Sequence, residues 1–191
     1  MKKPLVLALA ALLLAGLAGS CSRGRPVGPG DVVGREAMVA SAHPAATAVG
    51  LEILKKGGNA VDAAVAVAFA LSMAEPNASG VGGGGFMVIK MAGAEPAMVD
   101  YRERAPSGAT PEFYYAPGSD FAARTAQGPD AVGVPGLVAG AALALEKFGT
   151  MSLAEVLAPA IELAEKGYPI DPMLARSIER GQRNLSKYPT T

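Results

Sequence analysis

The sequence predicts an α+β chain, and three stretches carry that prediction. Ala60 to Met73 is apolar at every position except Asp62 and Ser72, the pattern of a helix buried on all sides. Phe86-Met87-Val88-Ile89-Lys90-Met91 and Ala97-Met98-Val99-Asp100-Tyr101 flank Ala92-Gly93-Ala94-Glu95, which reads as a β-hairpin and therefore as antiparallel pairing. Between helix and hairpin lies Gly80-Val81-Gly82-Gly83-Gly84-Gly85-Phe86. Glycine reaches positive φ without strain and lets another backbone come close, so so dense a run predicts tight packing rather than a loose link.

Composition narrows the function classes. The 191 residues amount to one domain's length. Half of them are hydrophobic, too many for a disordered chain. The 17 basic and 17 acidic side chains leave no basic excess of the kind nucleic-acid binding needs. The single cysteine, Cys21, can form neither an internal disulfide nor a thiolate zinc site.

The N-terminus reads as an export signal over residues 1–20. Lys2 and Lys3 precede an apolar run from Leu5 to Leu17, and Ala18-Gly19-Ser20 place small residues before Cys21. The run is shorter than the ~20 residues of a membrane span. Three readings fit Cys21: lipidation as the mature N-terminus, as in the lipobox of bacterial lipoproteins, ordinary signal cleavage nearby, or, least favoured, a buried free thiol. Ala18 stands where lipobox signals prefer Leu. Residues 21–34, with Arg23, Arg25, Pro26 and Pro29, read as a flexible tether, and the globular part as 35–191.

Along that part, Met38-Val39-Ala40-Ser41 reads as a short strand. A helix follows with Ser41 or His43 near its cap and Pro44 in its first turn, stopped by Gly57-Gly58. Asn59 caps the apolar helix and Asp62 puts a carboxylate in its first turn, which suits the helix dipole. Glu75-Pro76 ends it. Residues from Ala105 to Asp130 hold enough Pro and Gly to read as irregular, with one helical turn at Glu112 to Tyr115. Gly133-Val134-Pro135-Gly136 introduces a helix from Leu137 to Phe148, closed by Gly149. Ser152 and Glu155 form a capping-box pattern for a helix to Lys166, kinked at Pro159 and ended by Gly167. Asp171-Pro172 opens a last helix that fades from Asn184.

Few chemistries survive this inventory. A phosphate loop needs its glycines after a strand and before a helix, whereas here the order is helix, glycines, strand, and no Gly-Lys-Ser or Gly-Lys-Thr follows. A histidine-based triad would have to use His43, the only histidine, which sits at a helix start. Metal ligands are equally scarce, and no pair of carboxylates stands out for glycosidase work. Arg102 does stand out. It ends a strand between Asp100 and Glu103 and precedes a Pro- and Gly-rich loop. A guanidinium grips a carboxylate through two parallel hydrogen bonds and does not titrate away, although an arginine between two acids also fits a plain surface ion pair.

Five motifs in order then resemble the N-terminal part of γ-glutamyltranspeptidase: Met38-Val39-Ala40-Ser41; Gly57-Gly58-Asn59-Ala60-Val61-Asp62-Ala63-Ala64; Gly82-Gly83-Gly84-Gly85-Phe86-Met87; Asp100-Tyr101-Arg102-Glu103-Arg104-Ala105-Pro106; and Val134-Pro135-Gly136. Lys147-Phe148-Gly149-Thr150-Met151-Ser152-Leu153 is similar as well, and the match runs from about Glu36 to Asp171. The resemblance implies an N-terminal nucleophile hydrolase with an αββα sandwich, of which this chain holds an incomplete part. It implies a precursor cut into large and small subunits, whose freed N-terminal threonine attacks the γ-amide of glutathione or a related γ-glutamyl compound and passes the acyl group to water or an amino acid. It assigns Arg102 to the substrate α-carboxylate, which favours γ-glutamyl donors over the glutaryl-type substrates of related acylases. No cofactor or metal is implied. The nucleophile and the small subunit are expected outside these residues, and Thr190 and Thr191 lack the family's surroundings, so the chain by itself is expected to be inactive. The expected protein is exported, periplasmic or membrane-anchored, from a bacterium. The alternative is a non-catalytic exported lipoprotein or binding module that keeps the substrate-side half of the fold.

Overall fold

The computed structural model describes residues 32–188. The signal, Cys21 and most of the tether fall outside that range. From Ala37 onward the chain forms one compact unit.

This unit is α-rich. Helix α1 (Pro44–Lys55) starts where His43 Nδ1 accepts the Ala45 N–H at 3.1 Å. It stops where Gly57 takes φ 93°, a left-handed turn open to glycine. Helix α2 (Ala60–Ala74) is the centre of the core and packs against α1, α5 (Leu137–Phe148) and α6 (Leu153–Lys166). Val65, Ala66 and Ala70 are wholly buried, as are Ile53 of α1 and Val156 of α6. The approach of α1 to α2 is close enough that a Cβ on Gly50 would lie 2.6 Å from Val67 Cγ2. The final helix, α7 (Pro172–Leu185), is capped by Asp171, whose Oδ1 accepts the Leu174 N–H at 2.7 Å.

Strands β1 (Phe86–Ile89) and β2 (Ala97–Asp100) pair antiparallel, Phe86 opposite Asp100 and Ile89 opposite Ala97. Alternation divides their side chains. Met87, Ile89 and Val99 face the helices, while Phe86, Val88 and Met98 are 56%, 74% and 63% exposed on the other face. Among the described residues the sheet has these two strands.

Some expectations change. Met38–Ser41 is not a strand, because no neighbouring strand offers it a ladder. Pro159 lies inside α6, which runs to Lys166 as expected. The helical turn expected at Glu112 to Tyr115 forms as α3 (Pro111–Tyr114), but the rest of the segment, expected to be irregular, also holds α4 (Phe121–Ala126) and a 3₁₀ turn at Pro129–Ala131. Asp120 starts α4 by accepting the Ala123 N–H at 3.0 Å. The glycine run, finally, contains no positive φ; Gly83, Gly84 and Gly85 serve close approach.

Asp62 does more than favour a dipole. Fully buried at the start of α2, it accepts the Asn59 N–H at 2.7 Å and closes a capping box. It also accepts the Thr150 N–H at 3.0 Å, the Thr150 hydroxyl at 2.6 Å and the Met151 N–H at 3.2 Å. Asn59 Nδ2 donates to the Phe148 carbonyl at 2.7 Å. One cap thereby ties α2 to the turn between α5 and α6. Burial opposes the charge of Asp62, but the hydrogen bonds from Thr150, Asn59 and Met151 prevail and hold its carboxyl below the usual carboxylate range.

Candidate functional site

The segment Asp100–Arg104 leaves β2 and runs along the start of α5. Its pairing outlasts the strand, since the Tyr101 N–H donates to the Gly85 carbonyl at 3.0 Å and the Gly85 N–H donates back at 3.3 Å. Three residues on, Arg104 and Val134 exchange both backbone bonds, at 3.2 and 2.8 Å. Arg102 lies between these two anchored points. Its own N–H donates to Asp100 Oδ1 at 3.0 Å, so backbone bonds fix the site at which its side chain begins.

Four glycines make this geometry possible. A Cβ on Gly84 would lie 2.3 Å from the Tyr101 carbonyl oxygen, and one on Gly136 only 2.0 Å from it. Gly85 faces the Tyr101 ring at 3.2 Å, and Gly140 faces its base at 2.3 Å. The run also caps α5. The Gly83 carbonyl accepts the N–H groups of Gly136 and Leu137, both at 3.0 Å, replacing the side-chain cap that Gly136 lacks. Those two donors at the start of α5 are therefore occupied and not free for an anion.

A cavity of about 270 Å³ opens between this segment and α5. Asp100, Tyr101, Arg102 and Arg104 line one side, and Val134, Pro135, Ala139 and Leu143 the other. The Arg102 side chain is 58% exposed, and its Nη1 lies 3.2 Å from Glu103 Oε2. That oxygen is buried and has no hydrogen-bond partner, so the contact is one of charge without hydrogen-bond alignment. With the guanidinium mostly in water and the pair not aligned as a hydrogen bond, solvent weakens its attraction. A guanidinium has five N–H donors, and Arg102 keeps most of them free for a carboxylate entering the cavity.

The residues singled out from sequence thus separate. Arg102 stands at a cavity with Asp100 and Glu103 beside it. His43 is a cap, its ring 5.5 Å edge-on from Tyr168, and takes no part at the cavity. Cys21 lies outside the described residues. Among the described residues no three His, Cys, Asp or Glu side chains gather to hold a metal ion. Sequence reasoning missed Tyr101, Gly136 and Gly140 as builders of the site. The available signal was Gly140 itself, since glycine inside a helix costs roughly 0.5–1 kcal/mol relative to alanine and calls for a packing reason.

The gamma-glutamyltranspeptidase family model matches residues 46–191. The chain belongs to that family, which is a family of enzymes. It is 48% identical over 159 residues to the glutathione hydrolase proenzyme of Bacillus subtilis (strain 168), covering 81% of this chain and 27% of that protein. To the glutathione hydrolase proenzyme of Escherichia coli (strain K12) it is 44% identical over 146 residues, covering 76% and 25%. The crystal structure of Helicobacter pylori gamma-glutamyltranspeptidase superposes with a TM-score of 0.79 at 39% identity, over 84% of this chain and 46% of that one. The chain therefore spans about a quarter of the length of these two curated relatives.

Proposed function

We propose that this chain is the N-terminal, substrate-side portion of an enzyme that transfers γ-glutamyl groups from glutathione and related compounds to water or to amino acid and peptide acceptors. Arg102 is the residue that receives the donor's α-carboxylate. Its placement is the observation that carries the reading: a largely exposed guanidinium at a cavity, its backbone held at Gly85, Asp100 and Val134. A bidentate pair with carboxylate fixes one end of the donor. The γ-carbonyl then extends toward a threonine nucleophile supplied by a small subunit of the same precursor; the threonine α-amine takes the hydroxyl proton as the γ-glutamyl ester forms and passes it to the amine that leaves as the amide bond breaks. The outward face of the β1–β2 hairpin, with Phe86, Val88 and Met98, is where a second sheet would complete an αββα sandwich.

The test is the product of the complete gene, incubated with glutathione and with a γ-glutamyl anilide. Release of glutamate or transfer to an acceptor supports the reading; intact substrate with properly folded protein sets it aside in favour of a non-catalytic binding module.

The N-terminal segment supports export to the periplasm, or lipid anchoring through Cys21 to a bacterial membrane. With an anchor, Cys21→Ser moves the protein from the membrane to the soluble fraction; unchanged partition leaves ordinary signal cleavage.

A further inference from the structure

We propose that Tyr101 seated in the notch of Gly140 is the joint that sets the reach of Arg102, which makes Gly140 a positioning residue for carboxylate recognition. The inference rests on the reading of Arg102 given above. Gly140 lies in the interior of α5, where glycine is costly, and its missing side chain is where Tyr101 sits. An added Cβ would come within 2.3 Å of Tyr101 Cγ, 2.4 Å of its Cβ and 2.5 Å of its Cδ1. These are the base of the side chain, not its mobile end, so no ring rotation relieves the clash. One helical turn earlier, Gly136 bears on the Tyr101 carbonyl oxygen, and Gly84 bears on the same atom. Tyr101 is thus gripped through backbone and ring together, and Arg102 is the next residue. A displacement of Tyr101 carries the Arg102 backbone with it, and misplacing a recognition group by about 1 Å is enough to lose much of its effect.

The test is a cycle of variants in the complete enzyme, read as KM and kcat for a γ-glutamyl anilide beside thermal melts. Gly140→Ala is expected to raise KM about tenfold, the size of one weakened charged hydrogen bond, with kcat less affected. In an Arg102→Ala background it adds little, because the joint acts through Arg102. Tyr101→Leu, which removes the ring without adding a Cβ to α5, shows the same non-additivity. Equal KM increases with and without Arg102 would overturn the joint and leave a packing role. An unchanged KM in Arg102→Ala alone would overturn the reading of Arg102 and the joint with it.

Discussion

Glycines that look alike in the run between α2 and β1 carry unequal weight. A Cβ on Gly82 meets nothing within 4 Å, whereas one on Gly84 meets backbone atoms at 2.3 and 2.9 Å. Gly82→Ala is therefore expected to leave the melting temperature within about a degree, and Gly84→Ala to lower it by several degrees. Equal effects would show that the run acts through chain flexibility and not through contact with Tyr101. Asp62 is a second residue whose weight lies in its partners. Asp62→Asn replaces one acceptor oxygen with a donor that faces other donors, and should cost about 1–3 kcal/mol in denaturant unfolding. Its folded pKa is depressed, so the unfolded chain binds the proton more readily. The stabilisation is present above the ordinary carboxylate pKa of ~3.9 and is lost as pH falls through the lower folded value. Wild-type stability should drop over that acid range more steeply than that of Asp62→Asn; parallel curves would contradict the assignment.

Helix ends were legible because their chemistry is local. Asn59 with Asp62, Ser152 with Glu155, and Asp171 with Pro172 each announce a start within four residues, and each cap forms. The hairpin was legible from period and turn. Less legible were α4, hidden in a stretch rich in Pro and Gly, and the absence of a strand at Met38, which depends on a neighbour that local pattern cannot supply. Arg102 was singled out through its motif, but the contacts that hold its backbone beside the cavity join residues far apart in sequence: Gly84 to Tyr101, Tyr101 to Gly140, Arg104 to Val134. No local periodicity encodes those. The hairpin also makes its own prediction. Val88 is 74% exposed on an apolar face, and a lysine there is tolerated if that face meets water. If a second sheet covers it in the complete protein, Val88→Lys lowers the melting temperature and the yield of assembled enzyme, by the cost of burying an unpaired charge. Unchanged assembly would remove this face from the sandwich.

At the scale of the molecule, the α-rich unit reads as a platform. The Asp62 clamp fixes the far end of α5, the Gly83 carbonyl caps its near end, and Tyr101 locks the strand end against it. Each device ends in the placement of one guanidinium beside a cavity. The proposed partner of that guanidinium is the α-carboxylate of a γ-glutamyl donor. The most direct measurement is steady-state hydrolysis of a γ-glutamyl anilide by the complete gene product carrying Arg102→Ala, against wild type. Loss of a charged bidentate contact predicts KM higher by roughly ten- to a hundredfold with a smaller change in kcat. Wild-type KM in that variant would contradict the account and leave Arg102 as the surface partner of Glu103.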